Sequence, residues 1–361
     1  MKNYMKKFWY GVFLSTLSGA AHAQSSVTLF GIVDSSIQYA RSGGQSTTRV
    51  DSSNAAPSNW GLQGVEDIGG NTKVIFRLDS GINVANGTSP QAGGGFGREA
   101  WVGMSGSYGR FQAGLNNSPE MWGLLRFLGG GWAWGDAGNN YDFFAATKIP
   151  NSIIYISPNL SGFTFSAMYG FGANGNTAQP RTLGRTMSAG MYYVNGPFAF
   201  EADYLSQVYT TAATITSASP TETGNHDLIG VSYDFGAVKA EGLFVLHRGA
   251  GSVKTPNLTT FADPNSVYYQ VSALVPNVMN GMLMLSFGQY KLQGNSNGNS
   301  TTYALRYDHP LSKRTTVYAG VSVIRNGSEA SFTANGAEGV GITVKPGDNQ
   351  IATVFGIVHA F

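Results

Sequence analysis

Gln350-Ile351-Ala352-Thr353-Val354-Phe355-Gly356-Ile357-Val358-His359-Ala360-Phe361 is the stretch that decides the fold. Ile351, Phe355, Ile357 and Phe361 share one face at period 2, the pattern of a strand with one apolar side. The last residues of a soluble domain usually fray. A strand that carries its apolar face out to a terminal aromatic needs a pairing partner, and the first strand of a closed sheet supplies one. The stretch predicts a β-barrel whose last strand pairs with its first.

The same period runs through the rest of the chain. In Val27–Ala40, Val27, Leu29, Val33, Ile37 and Tyr39 alternate with Thr28, Asp34, Ser36 and Gln38, the second face also holding Phe30 and Ile32. Phe198, Phe200, Ala202 and Tyr204 alternate with Glu201 and Asp203, and Tyr303, Leu305 and Tyr307 with Arg306 and Asp308. A soluble sandwich alternates in the same way, so segment length is the better guide. These runs reach about ten residues, which tilted membrane strands need; strands of soluble domains usually hold about five or six. Seven short turns are expected, at Asp67–Asn71, Ser107–Gly109, Ser157–Gly162, Asn195–Pro197, Asp234–Gly236, Pro276–Gly281 and His309–Lys313. They alternate with eight long polar loops near 41–55, 88–95, 117–150, 173–184, 211–224, 249–264, 293–299 and 326–349. Short turns on one rim and long loops on the other mark an outer-membrane barrel. The expectation is an all-β, sixteen-stranded antiparallel transmembrane barrel in one domain.

Composition narrows the function classes. Residues 1–23 read as a secretory signal: Lys2, Lys6 and Lys7, an apolar run Phe8–Leu17, then Ser18-Gly19-Ala20-Ala21-His22-Ala23. That apolar run is shorter than the roughly 20 residues of a spanning helix. Without this segment, nineteen basic residues face twenty acidic ones, so the remainder sits near −1 and nothing argues for nucleic acid. Charged residues are only 12% of the chain, Gly numbers 49, and Tyr and Phe together number 39. Cysteine is absent, so no disulfide staples an exported chain. No apolar run after the signal approaches helix-spanning length, and a closed barrel is the other structure that crosses lipid with every backbone group paired.

From Asn117 to Pro150 the alternation stops. The stretch contains Asn117-Ser118-Pro119-Glu120-Met121-Trp122 and Gly129-Gly130-Gly131-Trp132-Ala133-Trp134, then Asp136, Asp142 and Lys148. Long loops of this kind are functional or disordered, and disordered segments are poor in aromatics. This one holds three of the six tryptophans. It is expected to fold into the barrel mouth and narrow a pore.

Several motifs then fit one family. Ser26-Val27-Thr28-Leu29-Phe30-Gly31-Ile32-Val33-Asp34, Trp60–Gly70 (WGLQGVEDIGG), Phe76–Gly81 (FRLDSG), Phe96–Gly103 (FGREAWVG), Asn151–Pro158 (NSIIYISP) and the terminal Phe361 stand in the order and spacing of that family. From Gln24 to Phe361 the chain resembles the sixteen-stranded trimeric general porins of Gram-negative outer membranes, in their betaproteobacterial branch. The resemblance implies a water-filled channel for passive diffusion of small hydrophilic solutes, and a third loop folded inward. It also implies a homotrimer in lipid and lipopolysaccharide, and a terminal aromatic read by the insertion machinery. The family places a basic ladder on the pore wall opposite acidic residues of the inward loop. Here the ladder is interrupted by Asn59, Gln63, Leu115 and Ile154, while Arg98 is kept and Arg77 is added. Glu120, Asp136 and Asp142 are candidates for the acidic side. Trp132 and Trp134, with Trp122, either line the pore, pack the loop on the wall, or anchor it under a neighbouring subunit. The departures predict weak ion selectivity.

Other chemistry finds little support. Gly170-Phe171-Gly172-Ala173-Asn174-Gly175 matches G-x-G-x-x-G, but no helical pattern follows, so the nucleotide-binding context fails. No G-x-S-x-G occurs, and the histidines lack the spacing of a metal pair. No cofactor or metal is expected. An outer-membrane barrel enzyme of lipase or protease type, or an adhesin or receptor acting through the long loops, are the alternatives to a non-enzymatic channel. Arg77 and Arg98 are read as wet-face charges, with Val74, Phe76 and Leu78 on the opposite face of the first strand and Trp101 on that of the second.

Overall fold

The computed structural model describes residues 26–91, 94–129, 148–172, 176–210, 215–249, 265–334 and 343–361. The proposed signal segment lies outside them. The first part of the chain forms β1 (Ser26–Ser42), β2 (Gln45–Ser52), β3 (Asn59–Gly69), β4 (Thr72–Gly81), β5 (Glu99–Gly106), β6 (Gly109–Asn117) and helix α1 (Pro119–Phe127). Next come β7 (Lys148–Ile156), β8 (Phe163–Phe171), β9 (Arg185–Asn195), β10 (Phe198–Tyr209), β11 (Glu222–Asp234) and β12 (Lys239–Gly249). The chain finishes with β13 (Ser266–Val278), β14 (Gly281–Leu292), β15 (Ser300–Pro310), β16 (Thr315–Asn326) and β17 (Gln350–Ala360).

Each strand pairs antiparallel with its neighbour, and β17 returns to β1 from Ile32↔Ala360 to Ser42↔Gln350. β2 and β3 occupy one edge of β1 in series, β2 against Ser35–Ser42 and β3 against Ser26–Ile32. Together they make one stave, so the barrel closes with sixteen. The seven short turns fall where the sequence places them. The first long loop does not. β1 runs on to Ser42, turns at Gly43 and Gly44 (φ 56° and 80°), and returns as β2. Two successive positive φ values suit a two-residue hairpin turn, which glycine takes without steric cost.

One face of each stave is apolar and exposed. Val27 is 65% exposed and Phe355 63%, whereas Asp34 and Gln38 are fully buried. In a soluble protein that distribution would be inverted; in a barrel it is the lipid face outside and the lumen inside. Exposed rings gather at the short-turn rim, with Phe111 and Tyr155 4.7 Å apart, Phe163 and Tyr193 4.4 Å apart, and Tyr233 and Phe235 4.6 Å apart. Such girdles sit at a membrane interface. The lumen is itself two-sided. Leu228, Leu243, Val245, Tyr268, Tyr290, Ile324 and Val354 join one buried apolar cluster, with Phe332 from the connection after β16. The staves from β3 to β10 carry a wall rich in charge, and the other side holds the ion pairs Lys239–Glu241 and Arg306–Asp308.

Candidate functional site

The segment after β6 begins as a helix, which the sequence reading took for irregular loop. Gly114 (φ 140°) stands at a bulge between β6 and β7, and the chain leaves the wall soon after. The Ser118 hydroxyl caps α1 by accepting from the Met121 amide at 3.2 Å. Pro119 opens the helix, with Glu120 in its first turn and Arg126 in its last. Met121, Leu124, Phe127 and Leu128 are buried in the lumen's apolar cluster. Ile149, Ile154 and Met168 form a second apolar patch, against which Trp122 packs. Glycines let the helix approach the wall: a Cβ on Gly230 would lie 2.3 Å from the Phe127 ring, and one on Gly190 would lie 2.9 Å from Pro119.

Asp79 is the hub of the charged wall. It accepts from Asn59 Nδ2 at 2.8 Å, pairs with Arg77 at 2.8 Å, and faces Arg98 Nε at 3.5 Å. Arg77 also pairs with Glu99 at 3.2 Å, donates to Gln63 at 3.1 Å, and lies 4.1 Å over the Phe30 ring. Trp101 Nε1 donates to Glu99 at 2.8 Å. Across the cavity, Arg126 of α1 pairs with Glu201 of β10 and lies 4.3 Å over the Tyr192 ring. A cavity of about 560 Å³ lies between these groups, at the short-turn side of α1, with Trp122 and Arg126 among its lining.

Arg77, Gln63 and Asn59 face the lumen, and Arg98 packs against Asp79. Leu115 is a correction. It pairs with Ala100, Ala100 with Leu78, Leu78 with Leu62 and Leu62 with Leu29. Directly opposite residues share a face, and Leu29 is exposed on the outside. Leu115 belongs to the lipid row. Glu120 is a second correction. It is 2% exposed and turned to the wall, where Oε1 meets His226 Nδ1 at 2.9 Å. Its position in the helix's first turn points it into β11. Trp101 is a third, since it lines the cavity and does not back the strand. Asp136, Asp142, Trp132 and Trp134 lie outside the described residues. Sequence reasoning missed Asp79, Arg110, Glu201 and Asp203, which look like ordinary polar members of an alternating strand until the register brings them together.

A closed membrane-spanning barrel with a charged lumen and a helix laid inside it defines a channel protein. The family of Gram-negative porins matches residues 12–329, and the chain belongs to that family. An outer membrane porin protein of Bordetella pertussis is 31% identical over 91% of this chain and 96% of its own length. Outer membrane porin protein 32 of Delftia acidovorans is 31% identical over 99% of this chain and all of its own. Among solved structures, an anion-selective porin from Comamonas acidovorans matches with a TM-score of 0.79 at 26% identity, covering 94% of this chain and 100% of that one. The trimer form of OmpT from Vibrio cholerae shares the fold, with a TM-score of 0.67 at 13% identity. The protein is an outer-membrane channel for passive diffusion. Its family and relatives point to a channel and not to a catalyst.

Proposed function

We propose that the open path runs along β3 to β10 beside α1, and that its charges are arranged to cancel. The observation that carries this reading is the pairing itself. Arg77, Arg98, Arg110 and Arg126 share the wall and cavity with Asp79, Glu99, Glu201 and Asp203, four guanidiniums against four carboxylates. A compensated pair projects a weak field, and salt screens what remains beyond about 10 Å at 0.1 M. With the two signs in balance, the wall gives the channel little bias toward either ion. The Comamonas relative is named anion-selective, and we expect a weaker preference here. Small uncharged solutes pass without an electrostatic barrier. Asn59 and Gln63 act in this zone by holding Asp79 and Arg77.

In this reading residues 1–23 are cut from the exported chain and Gln24 begins the mature protein. Three copies assemble through the outer faces of β1 and β17, where Val27, Leu29, Ile357 and Phe361 are apolar, and the rest of the rim meets lipid and lipopolysaccharide. The channel carries out no catalytic step. Reversal potential across a planar bilayer under a KCl gradient tests the charge argument; a permeability ratio within a factor of a few of unity is expected, and strong selectivity of either sign would overturn it. An unheated sample running as a monomer, with a monomer mass by light scattering, would remove the three-fold assembly.

A further inference from the structure

Within the cavity one charge stands apart. Arg77 and Arg126 each have a carboxylate partner. Arg110, on β6, has none within ion-pair distance among the described residues, and its Nε is buried without a hydrogen-bond partner. Glu99 attracts Arg110 through space without touching it, and its own contacts go to Arg77 and the Trp101 indole. A buried donor left unsatisfied costs free energy, and a guanidinium is built to bind a carboxylate through two parallel N–H groups.

Arg110 stands between a polar and an apolar neighbour, with Ser105 of β5 opposite it on one side. On the other side its cross-strand neighbour is Ile156 of β7, which lines the cavity and packs, like Trp122, against the Ile149, Ile154 and Met168 patch. Trp101 and Trp122 both line the cavity as well. Its volume, about 560 Å³, is in the range that takes a small organic molecule. A bare inorganic anion would satisfy the charge and leave the rings unused. We propose that Arg110, with Trp101, Trp122 and Ile156, forms a subsite for carboxylates that carry an apolar or aromatic body, a resting point for such solutes on the short-turn side of α1. The carboxylate meets Arg110 and the body lies against the indoles. This deepens the channel reading and rests on it.

Benzoate is the probe, with acetate and benzyl alcohol as its two halves. Single-channel current in a planar bilayer is recorded while each is added. Benzoate is expected to reduce or interrupt the current at concentrations where acetate and benzyl alcohol do not. In Arg110→Gln the apparent affinity for benzoate should fall by about tenfold or more, the loss of a charge-assisted contact. Arg110→Lys should keep part of it, and Trp122→Ala should bring the benzoate response toward that of acetate. Equal block by acetate, equal block by benzyl alcohol, or unchanged benzoate block in Arg110→Gln overturns the subsite while the channel reading stands. Protein that inserts but conducts nothing defeats the channel reading instead. If Arg110→Gln forms no channels, saturable quenching of wild-type tryptophan fluorescence by benzoate, and not by acetate, decides the matter; absence of quenching rejects the proposal.

Discussion

The ring of Phe361 lies over Gly31, so close that a Cβ on Gly31 would stand 2.3 Å from the ring and 2.8 Å from the Asn59 carbonyl oxygen. The backbones of the two residues also bond, Phe361 N to Gly31 O at 3.0 Å and Gly31 N to Phe361 O at 3.3 Å. Closure of the barrel thus extends one residue past β17, on the outer face.

Three variants probe this seam. Gly31→Ala should destabilise the folded barrel by roughly 1–3 kcal/mol, the range for overpacking a filled site, read as a lower heat- or denaturant-unfolding midpoint. Adding Phe361→Ala should restore only part of the loss, since the ring can leave but the Asn59 carbonyl cannot. Full restoration would place the whole conflict at the ring. Deleting Phe361 should lower the amount in the outer membrane while export across the inner membrane is unchanged.

The seat of α1 gives a second expectation. Gly230→Val places side-chain atoms where the Phe127 ring lies, and the helix must move off the wall. Open-channel conductance should rise, or its noise increase, because α1 occupies lumen cross-section. Phe127→Ala makes room, so the double variant should return toward the wild-type trace. Unchanged conductance in Gly230→Val, with the barrel intact on an unheated gel, would show that α1 does not limit the current.

The fold was readable because a half-buried strand writes its two environments at period 2, as Val27–Ala40 does. Helix α1 carried its own signals in Ser118, Pro119, Glu120 and Arg126, with apolar residues at Met121, Leu124, Leu125 and Leu128. Its tryptophans and glycines drew the reading toward loop. The charged wall was less legible. Alternation tells which residues share a face on one strand, but not which level they meet across sixteen staves. Arg77, Gln63 and Trp101 form one cross-strand row, and only the register reveals it. Ile154 shows the same limit: it stands where the family resemblance leads one to expect a lysine, and it serves as part of the patch that receives Trp122.

Asp203 supplies a third prediction. It is 6% exposed, and neither carboxylate oxygen has a hydrogen-bond partner. It is wedged beneath α1, where a Cβ on Gly123 would fall 2.5 Å from one oxygen and a Cβ on Gly190 2.2 Å from the other. Buried oxygens without partners cost about 1–3 kcal/mol or more when charged. Asp203→Asn keeps the shape and removes the charge, and Asp203→Ala removes the wedge. The first should raise the unfolding midpoint at neutral pH. A lowered midpoint in Asp203→Asn would mean that the charge itself holds α1, through Arg126.

The last prediction concerns the Asp79 hub and the sign of selectivity. Asp79 neutralises Arg77 and Arg98 together and orients Asn59. At ~4 Å two unit charges interact by about 1 kcal/mol in bulk water and about 4 kcal/mol at the effective dielectric of a protein surface. Removing one partner of a pair therefore exposes a field that the pair had hidden. Asp79→Asn should shift the reversal potential toward anions more than Asn59→Arg does, because the first removes a carboxylate shared by two guanidiniums while the second adds a cation next to the carboxylate that would pair with it. Arg98→Ala should move the potential toward cations, leaving Asp79 shared by Arg77 alone. All three shifts should shrink as salt is raised, since screening shortens the reach of each charge. If Asp79→Asn leaves the potential where it was, while Lys73→Ala or Lys148→Ala moves it, then the charges that govern permeation lie at the rims and the paired wall is only scaffold.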